Sequence, residues 1–265
     1  MWYIPVFPTV HSKKHKIRLV FDASAQYLGI SINDNLYQGP DLTNRLRGVL
    51  LQFRERPVAI QADIQDIFFN FEVPKHQRDY LRFFWFKDND ASKPLISYRA
   101  TRHIVGLSSS PAVANYGLMY CALQATDPGD PKLKASVRYA LHQFYMGDGL
   151  YSTRSLEEAV EVLSGVRELF APYNICLHKI TSNHPSVLSS FTPSEVSAPA
   201  VASDSSPASV QQALGMVWDV LSDTFSPNVP TDVSPFTKRG VLATVNALGY
   251  DSLGLVSPVI LVACR

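Results

Sequence analysis

Apolar and polar positions along the chain switch between two periods, and the switches divide it into elements. Runs rich in Val, Ile, Tyr, Phe and Trp fall at 18–22, 57–63, 80–87, 95–102, 174–180 and 214–221, each bounded by turn-forming residues. Such runs read as β-strands. The 80–87 and 95–102 runs flank a turn-rich 88–94 and should form a hairpin. Residues 1–10 hold Pro5, Pro8 and several aromatics, and read as extended or irregular chain. Helical spacing appears at Leu46, Val49, Leu50 and Phe53, with Thr43 or Asn44 placed to cap it. Ser110 followed by Pro111 is a hydroxyl cap and a first-turn proline, predicting a helix over about 111–125. A further helix is predicted over 132–142. Ser155 and Glu158 form a capping box, opening a helix that should bury Leu156, Val160, Leu163, Val166 and Phe170 and stop before Pro172. Thr237 should cap a helix to about Leu248, and Leu253 begins an apolar end segment. Between these lie a short helical segment carrying Phe68 within 64–71, a Pro/Gly loop at 125–131, and a flexible linker or loop at 192–212.

The stretch 140–153 organises the rest. An apolar run enters a turn at Gly147-Asp148-Gly149, and a second short run leaves it. That pattern predicts a β-hairpin with Asp148 at its tip. Far upstream, Asp63 ends the 57–63 strand. Strands and helices mix without regular alternation, which predicts an α+β fold with a mainly antiparallel sheet flanked by helices.

Composition narrows the class. The chain has 265 residues, 46% hydrophobic and 18% charged, and a net charge of +1. That is globular composition, and global charge does not advertise a polyanionic partner. The one basic cluster is Lys13, Lys14, Lys16 and Arg18; it suits either a solvated loop or phosphate contact. His11 and His15 are four apart, but no helix pattern surrounds them, so they do not read as a metal pair. No run reaches the roughly 18 apolar residues of a membrane span, and the N-terminus lacks a signal-peptide pattern. Cys121, Cys176 and Cys264 belong to no motif, which fits a reducing compartment. A cytoplasmic location is therefore expected.

Asp63 and Asp148 are the candidate chemistry. Carboxylates brought together from separate strands are the hard-oxygen ligands that magnesium needs, and paired ions serve phosphoryl transfer. An Asp between glycines is equally what a turn uses.

A longer set of motifs extends this. It begins with Lys16-Ile17-Arg18-Leu19-Val20-Phe21-Asp22-Ala23-Ser24, then Ser31-Ile32-Asn33-Asp34-Asn35-Leu36 and Gly39-Pro40-Asp41-Leu42-Thr43-Asn44. It continues through Ala62-Asp63-Ile64, Asp79-Tyr80-Leu81-Arg82-Phe83, Gly106 with Ser109-Ser110-Pro111, Ala114-Asn115-Tyr116 and Phe144-Tyr145-Met146-Gly147-Asp148. Leu177-His178-Lys179, Leu214-Gly215, Trp218-Asp219 and 250–258 complete it. In content and order the set resembles reverse transcriptases of Bel/Pao-class LTR retrotransposons across nearly the whole chain. The resemblance implies a polymerase fingers–palm fold with the start of a connection region, two Mg2+ ions, a dNTP, and an RNA or DNA template with its primer. It implies fingers-like residues 1–60, a palm at 61–191, the linker at 192–212, and primer-grip strands with the connection start at 213–265. Asp63 and Asp148 are then metal ligands, and Lys16 and Arg18 hold the triphosphate. Phe68 is a steric gate against ribose, or simply a core aromatic. Gly106, Ser110 and Pro111 lie against the template and nascent pair, Lys179 assists the pyrophosphate leaving group, Tyr145 opens the Tyr-x-Asp-Asp box, and Leu214-Gly215 starts the primer grip.

The chain departs from that pattern in places. Gly147 stands where the box has its first aspartate, and glycine offers no side-chain ligand. Asp66 has no evident way to replace it. Ser252 stands where the family usually has proline, and Ile180 where it usually has tryptophan. The flanking capsid, protease, RNase H and integrase parts are not in the sequence. These departures imply a decayed or partial copy, either an impaired polymerase or a non-catalytic nucleic-acid-binding remnant.

Overall fold

The computed structural model describes residues 1–10, 17–124, 131–197, 210–228, 235, 237–248 and 251–263. Lys13, Lys14, Lys16, His11, His15, Cys264, Tyr250 and most of the 125–131 and 192–212 segments lie outside the described residues. The chain forms two compact units, each gathered from separate stretches of sequence: Met1–Thr43, Asp66–Cys121 and Tyr173–Ile175 in the first; Asn44–Gln65, Ala122–Pro172 and Cys176–Arg265 in the second.

In the first unit, β1 (Val6–Val10) pairs antiparallel with β2 (Ile17–Phe21), with Val6 opposite Phe21 and Val10 opposite Ile17. Of the extended or irregular chain expected at 1–10, the Val6–Val10 part is thus extended strand. Pro8 is tolerated because the ribbon has only two strands, and Pro8 needs no donor on its open side. The expected aromatic hairpin forms between strands Arg82–Phe86 and Leu95–Arg99. Tyr3 stacks on Phe84 with centroids 4.7 Å apart. Ile4, Ala23, Ile32, Val73, Leu81, Ile104 and Leu107 form this unit's core.

The second unit is built on β3 (Val58–Ile64), preceded by α1 (Leu46–Phe53). Those aromatic strands of the first unit are β4 and β5, and helix Ser110–Leu123 is α2. The remaining elements are α3 (Pro131–His142), β6 (Phe144–Tyr145), β7 (Asp148–Thr153), α4 (Leu156–Phe170), β8 (Leu177–Ser182) and α5 (Pro185–Leu188). A second small sheet follows, β9 (Val210–Ala213), β10 (Met216–Asp219) and β11 (Thr224–Pro227), then α6 (Lys238–Leu248) and α7 (Ser257–Ala263). The main sheet runs β6-β7-β3-β8 and every pairing in it is antiparallel. This is the α+β architecture the sequence predicts.

Burial on both faces explains why β3 is apolar apart from Gln61 and Asp63. Ala59 and Leu150 pack with Val49, Leu50 and Phe53 of α1 and with Ala213, Met216 and Trp218 of the small sheet. On the opposite face Tyr139 of α3 stacks on Tyr151 at 5.5 Å and lies against Phe144 at 5.0 Å. The buried face of α4 is Ala159, Val162, Leu163, Val166 and Phe170, so Leu156 and Val160 of the predicted stripe give way to Ala159 and Val162. Ser155 caps α4 by accepting from the Glu158 N–H at 3.2 Å. The Glu158 carboxylate accepts from Arg154 N–H instead of closing the box on Ser155.

Three other local expectations are corrected. Neither Thr43 nor Asn44 caps α1; Arg45 occupies that position without a side-chain bond, because the Asn44 amide is drawn to the carbonyls of Leu141 and Phe144 at 3.1 and 2.8 Å. Ser110 is the first residue of α2, and its hydroxyl donates to the Ile104 carbonyl at 2.9 Å. The strand expected at 214–221 is divided: Leu214 (φ 50°) and Gly215 (φ 88°) make a two-residue turn between β9 and β10, which sharp left-handed geometry takes out of any strand. Thr237 caps α6 as expected, accepting from Gly240 N–H at 3.1 Å.

Candidate functional site

The hairpin turn falls earlier in the chain than the sequence suggests. Tyr145 pairs with Asp148, leaving Met146 (φ 58°) and Gly147 (φ 124°) as a two-residue turn. Asp148 is therefore the first residue of β7 and not the hairpin tip. Both turn residues need positive φ, a demand that falls on Gly147 cheaply and on Met146 at some cost. The Gly147 carbonyl is engaged too, accepting from Ile64 N–H at 2.9 Å.

Register then brings the two carboxylates together. Asp63 lies directly opposite Asp148 in the β3–β7 pairing, and opposite His178 in the β3–β8 pairing. Residues opposite one another in antiparallel strands share a face, so Asp63, Asp148 and His178 form one row across three strands. Asp148 is mostly buried, and burial together with the Asp63 charge pushes its carboxyl up to about 6, with Lys179 offsetting part of this. The His178 Nε2–H donates to Asp63 Oδ2 at 3.0 Å, and the Lys179 ammonium donates to the same oxygen.

Neighbouring strand residues ordinarily face opposite sides. His178 and Lys179 both reach Asp63 because the β3–β8 register shifts between Gln61 and Asp63, a β-bulge in which Lys179 adopts φ 52°. Sequence reasoning gave Lys179 a role but missed His178 and the bulge; the adjacency of a histidine and a lysine at a strand end is the signal that was present.

The pair is the candidate cation-binding set. Two opposed carboxyl groups offer the hard oxygens that a divalent cation prefers. Gly147 supplies no further carboxylate, and no group of three or more His, Cys, Asp or Glu able to hold a metal occurs among the described residues.

The remaining predicted residues fall as follows. Arg18 is exposed on β2, opposite Thr9, and Lys16 lies outside the described residues. Phe68 is half-buried in a 3-10 turn, Ile67–Asn70. Gly106 has φ 104°, and a Cβ there would stand 2.9 Å from the Phe21 carbonyl, so only glycine fits. Asn33 clamps this loop, donating to the Gly106 carbonyl at 3.0 Å and accepting from Ser108 N–H at 2.9 Å. Ser110 and Pro111 open α2, and a cavity of about 770 Å³ beside them is lined by His103, Leu107 and Ser109 among others. Burial holds the His103 imidazole below its usual pKa. Tyr145 closes the hairpin, and Ser252 donates to the Leu214 carbonyl at 2.8 Å, a bond that proline at 252 could not make. Arg18, Phe68, Gly106, Ser110 and Pro111 belong to the first unit; Asp63, Asp148, Tyr145, Lys179, Leu214 and Gly215 belong to the second.

No helix among the described residues is long and apolar enough to cross a membrane. No protein-family model and no curated protein matches the sequence. Solved structures do match. A foamy viral protease-reverse transcriptase in complex with double-stranded DNA is similar over 97% of this chain and 38% of its own, at 13% identity and a TM-score of 0.61. A second such complex matches over 97% and 45% at 14% identity with a TM-score of 0.59. A complex with an RNA/DNA hybrid matches over 99% and 30% at 13% identity with a TM-score of 0.51. This chain thus spans less than half the length of those proteins, and its fold is reverse-transcriptase-like.

Proposed function

We propose that the chain is a reverse transcriptase domain, an RNA-directed DNA polymerase by descent, from a Bel/Pao-class LTR retrotransposon and present as an impaired copy. In this reading residues 1–60 are fingers-like, 61–191 are palm, 192–212 are a linker, and 213–265 are primer-grip strands with the start of a connection region. The observation that carries it is the Asp63–Asp148 pair, opposed on adjacent antiparallel strands beside a two-residue hairpin turn. The foamy viral proteins of similar fold are described with double-stranded DNA and with RNA/DNA hybrid, which supports a primer annealed to an RNA or DNA template as partner here.

Asp63 and Asp148 would hold magnesium, which when bound supplies charge neutralisation for nucleotidyl transfer. Arg18, Lys16 and Lys179 are assigned to the phosphates of the dNTP, where fixed positive charge opposes the build-up of negative charge. Phe68 is assigned as the ribose gate, Gly106 to the nucleotide, and Ser110, Pro111, Tyr145, Leu214 and Gly215 to the nucleic acid. The absent carboxylate at Gly147 should cost about a thousandfold in rate, roughly 4 kcal/mol of transition-state stabilisation. The Lys179 and His178 bonds to Asp63 favour a second reading, a nucleic-acid-binding domain without catalysis.

Primer extension on an RNA template, with magnesium and dNTPs, separates the two. The natural chain is compared with Gly147→Asp, with Asp63→Ala as blank and Gly147→Ala as control for the backbone at this turn. Extension by Gly147→Asp alone is the expected result. Silence of Gly147→Asp with retained primer–template binding would favour the non-catalytic reading, and loss of binding in every chain would sink both.

A further inference from the structure

Asp63 is the residue on which a lysine and a histidine of this chain converge. Its Oδ2 accepts from His178 Nε2–H at 3.0 Å and from the Lys179 ammonium. The convergence depends on a distortion: β8 carries Lys179 and Ile180 opposite the single residue Ala62, since Gln61 pairs with Thr181 and Asp63 with His178. The left-handed backbone at Lys179 turns its side chain toward the carboxylate that its strand position would otherwise direct it away from.

From this we infer that Lys179, supported by His178, is a built-in counter-ion of the carboxylate pair, seated on Asp63 so that a divalent cation binds there only by displacing the ammonium. The inference rests on the assignment of Asp63 and Asp148 as the cation-binding pair and adds what controls its occupancy. Two further observations support it. The Lys179 side chain is 65% exposed, so its ammonium has water available when displaced, while Asp63 is 24% exposed and has less. One ammonium also faces two opposed carboxyl groups, since Asp63 lies directly opposite Asp148, so the pair retains attraction for a doubly charged ion. Lys179 is on this account a positioning and regulating residue, and with Gly147 it reduces the site to one contested cation.

The test is Mn2+ titration of the whole chain without nucleic acid, read from the electron paramagnetic resonance signal of free Mn2+. Lys179→Met should bind about tenfold more tightly than the natural chain, since a competing unit charge is gone. Lys179→Gly, which suits the positive φ at this position, should do the same, and Lys179→Arg should behave as the natural chain. Adding Asp63→Asn to Lys179→Met should cancel the gain. Equal or weaker Mn2+ binding by both Lys179→Met and Lys179→Gly would overturn the inference. Gly147→Asp distinguishes the failures. If it binds Mn2+ while the Lys179 variants gain nothing, only the counter-ion role falls. If no chain binds Mn2+, Gly147→Asp included, the carboxylate pair is not a cation site and the functional reading falls with it.

Discussion

Asp148 is held in a setting that favours its neutral form, through burial and through the facing Asp63. Its carboxyl, raised from 3.8 to about 6, binds a proton in the folded chain over a range where the unfolded chain has released it. The contribution is therefore fully present below about pH 4 and is lost as pH rises through about 6. Relative to Asp148→Asn, the natural chain should lose roughly 2–3 kcal/mol between pH 4 and pH 7, measured by urea unfolding across that range. An identical pH dependence in the two proteins would refute the raised carboxyl. Glycines nearby act by different physics. A Cβ at Gly149 would stand 2.5 Å from the Tyr139 hydroxyl and 2.6 Å from Phe144 Cζ. Gly149→Ala should then cost about 1–3 kcal/mol through overpacking, read from the urea midpoint. Gly147 is a backbone matter: at φ 124° any side chain is strained, so restoring an aspartate requires the turn to shift.

At the scale of elements, helix ends and strand irregularities set the site more than the regular stretches do. Ser155 satisfies an otherwise unpaired donor at the start of α4, the helix that follows β7. Ser155→Ala should lower stability by about 1 kcal/mol, and thermal unfolding of the two chains gives the comparison. Trp218 of β10 packs edge-on against Phe53 at 4.9 Å, and its indole N–H donates to Asp223 at 3.0 Å. The same carboxylate is forked by Arg54, at 2.6 and 3.0 Å. Burial works to raise Asp223, but the Arg54 and Trp218 bonds outweigh it and hold its carboxyl below the usual range. This ties the small sheet to the end of α1, and the indole and guanidinium were visible in the sequence only as separate residues.

For the whole molecule, a net charge of +1 means that any attraction for nucleic acid must come from local groups. Binding of a primer–template is expected to weaken steeply with salt, by tenfold or more over about a fourfold rise in salt, because phosphate contacts release counter-ions. Fluorescence anisotropy with a labelled duplex at several salt concentrations measures this, and salt-independent binding would count against phosphate contact. The two compact units each draw on stretches separated in sequence, so no window along the chain reveals them.

The sequence by itself determined the α+β class, most strands and helices, the caps at Ser155 and Thr237, and Asp63 and Asp148 as the candidate carboxylates. These follow from periodicity and local chemistry, which act over a few residues. Tertiary structure decided the rest. The turn at Met146-Gly147 shifted Asp148 off the tip because strand pairing fixed Tyr145 opposite it. Asn44 left its expected cap for two carbonyls about a hundred residues away, and the α4 stripe rotated to meet its actual neighbours. Above all, the opposition of Asp63 to Asp148 and the convergence of His178 and Lys179 on Asp63 depend on register and on one bulge. Register is a relation between distant strands, stabilised only when the sheet is assembled, and no local pattern encodes it.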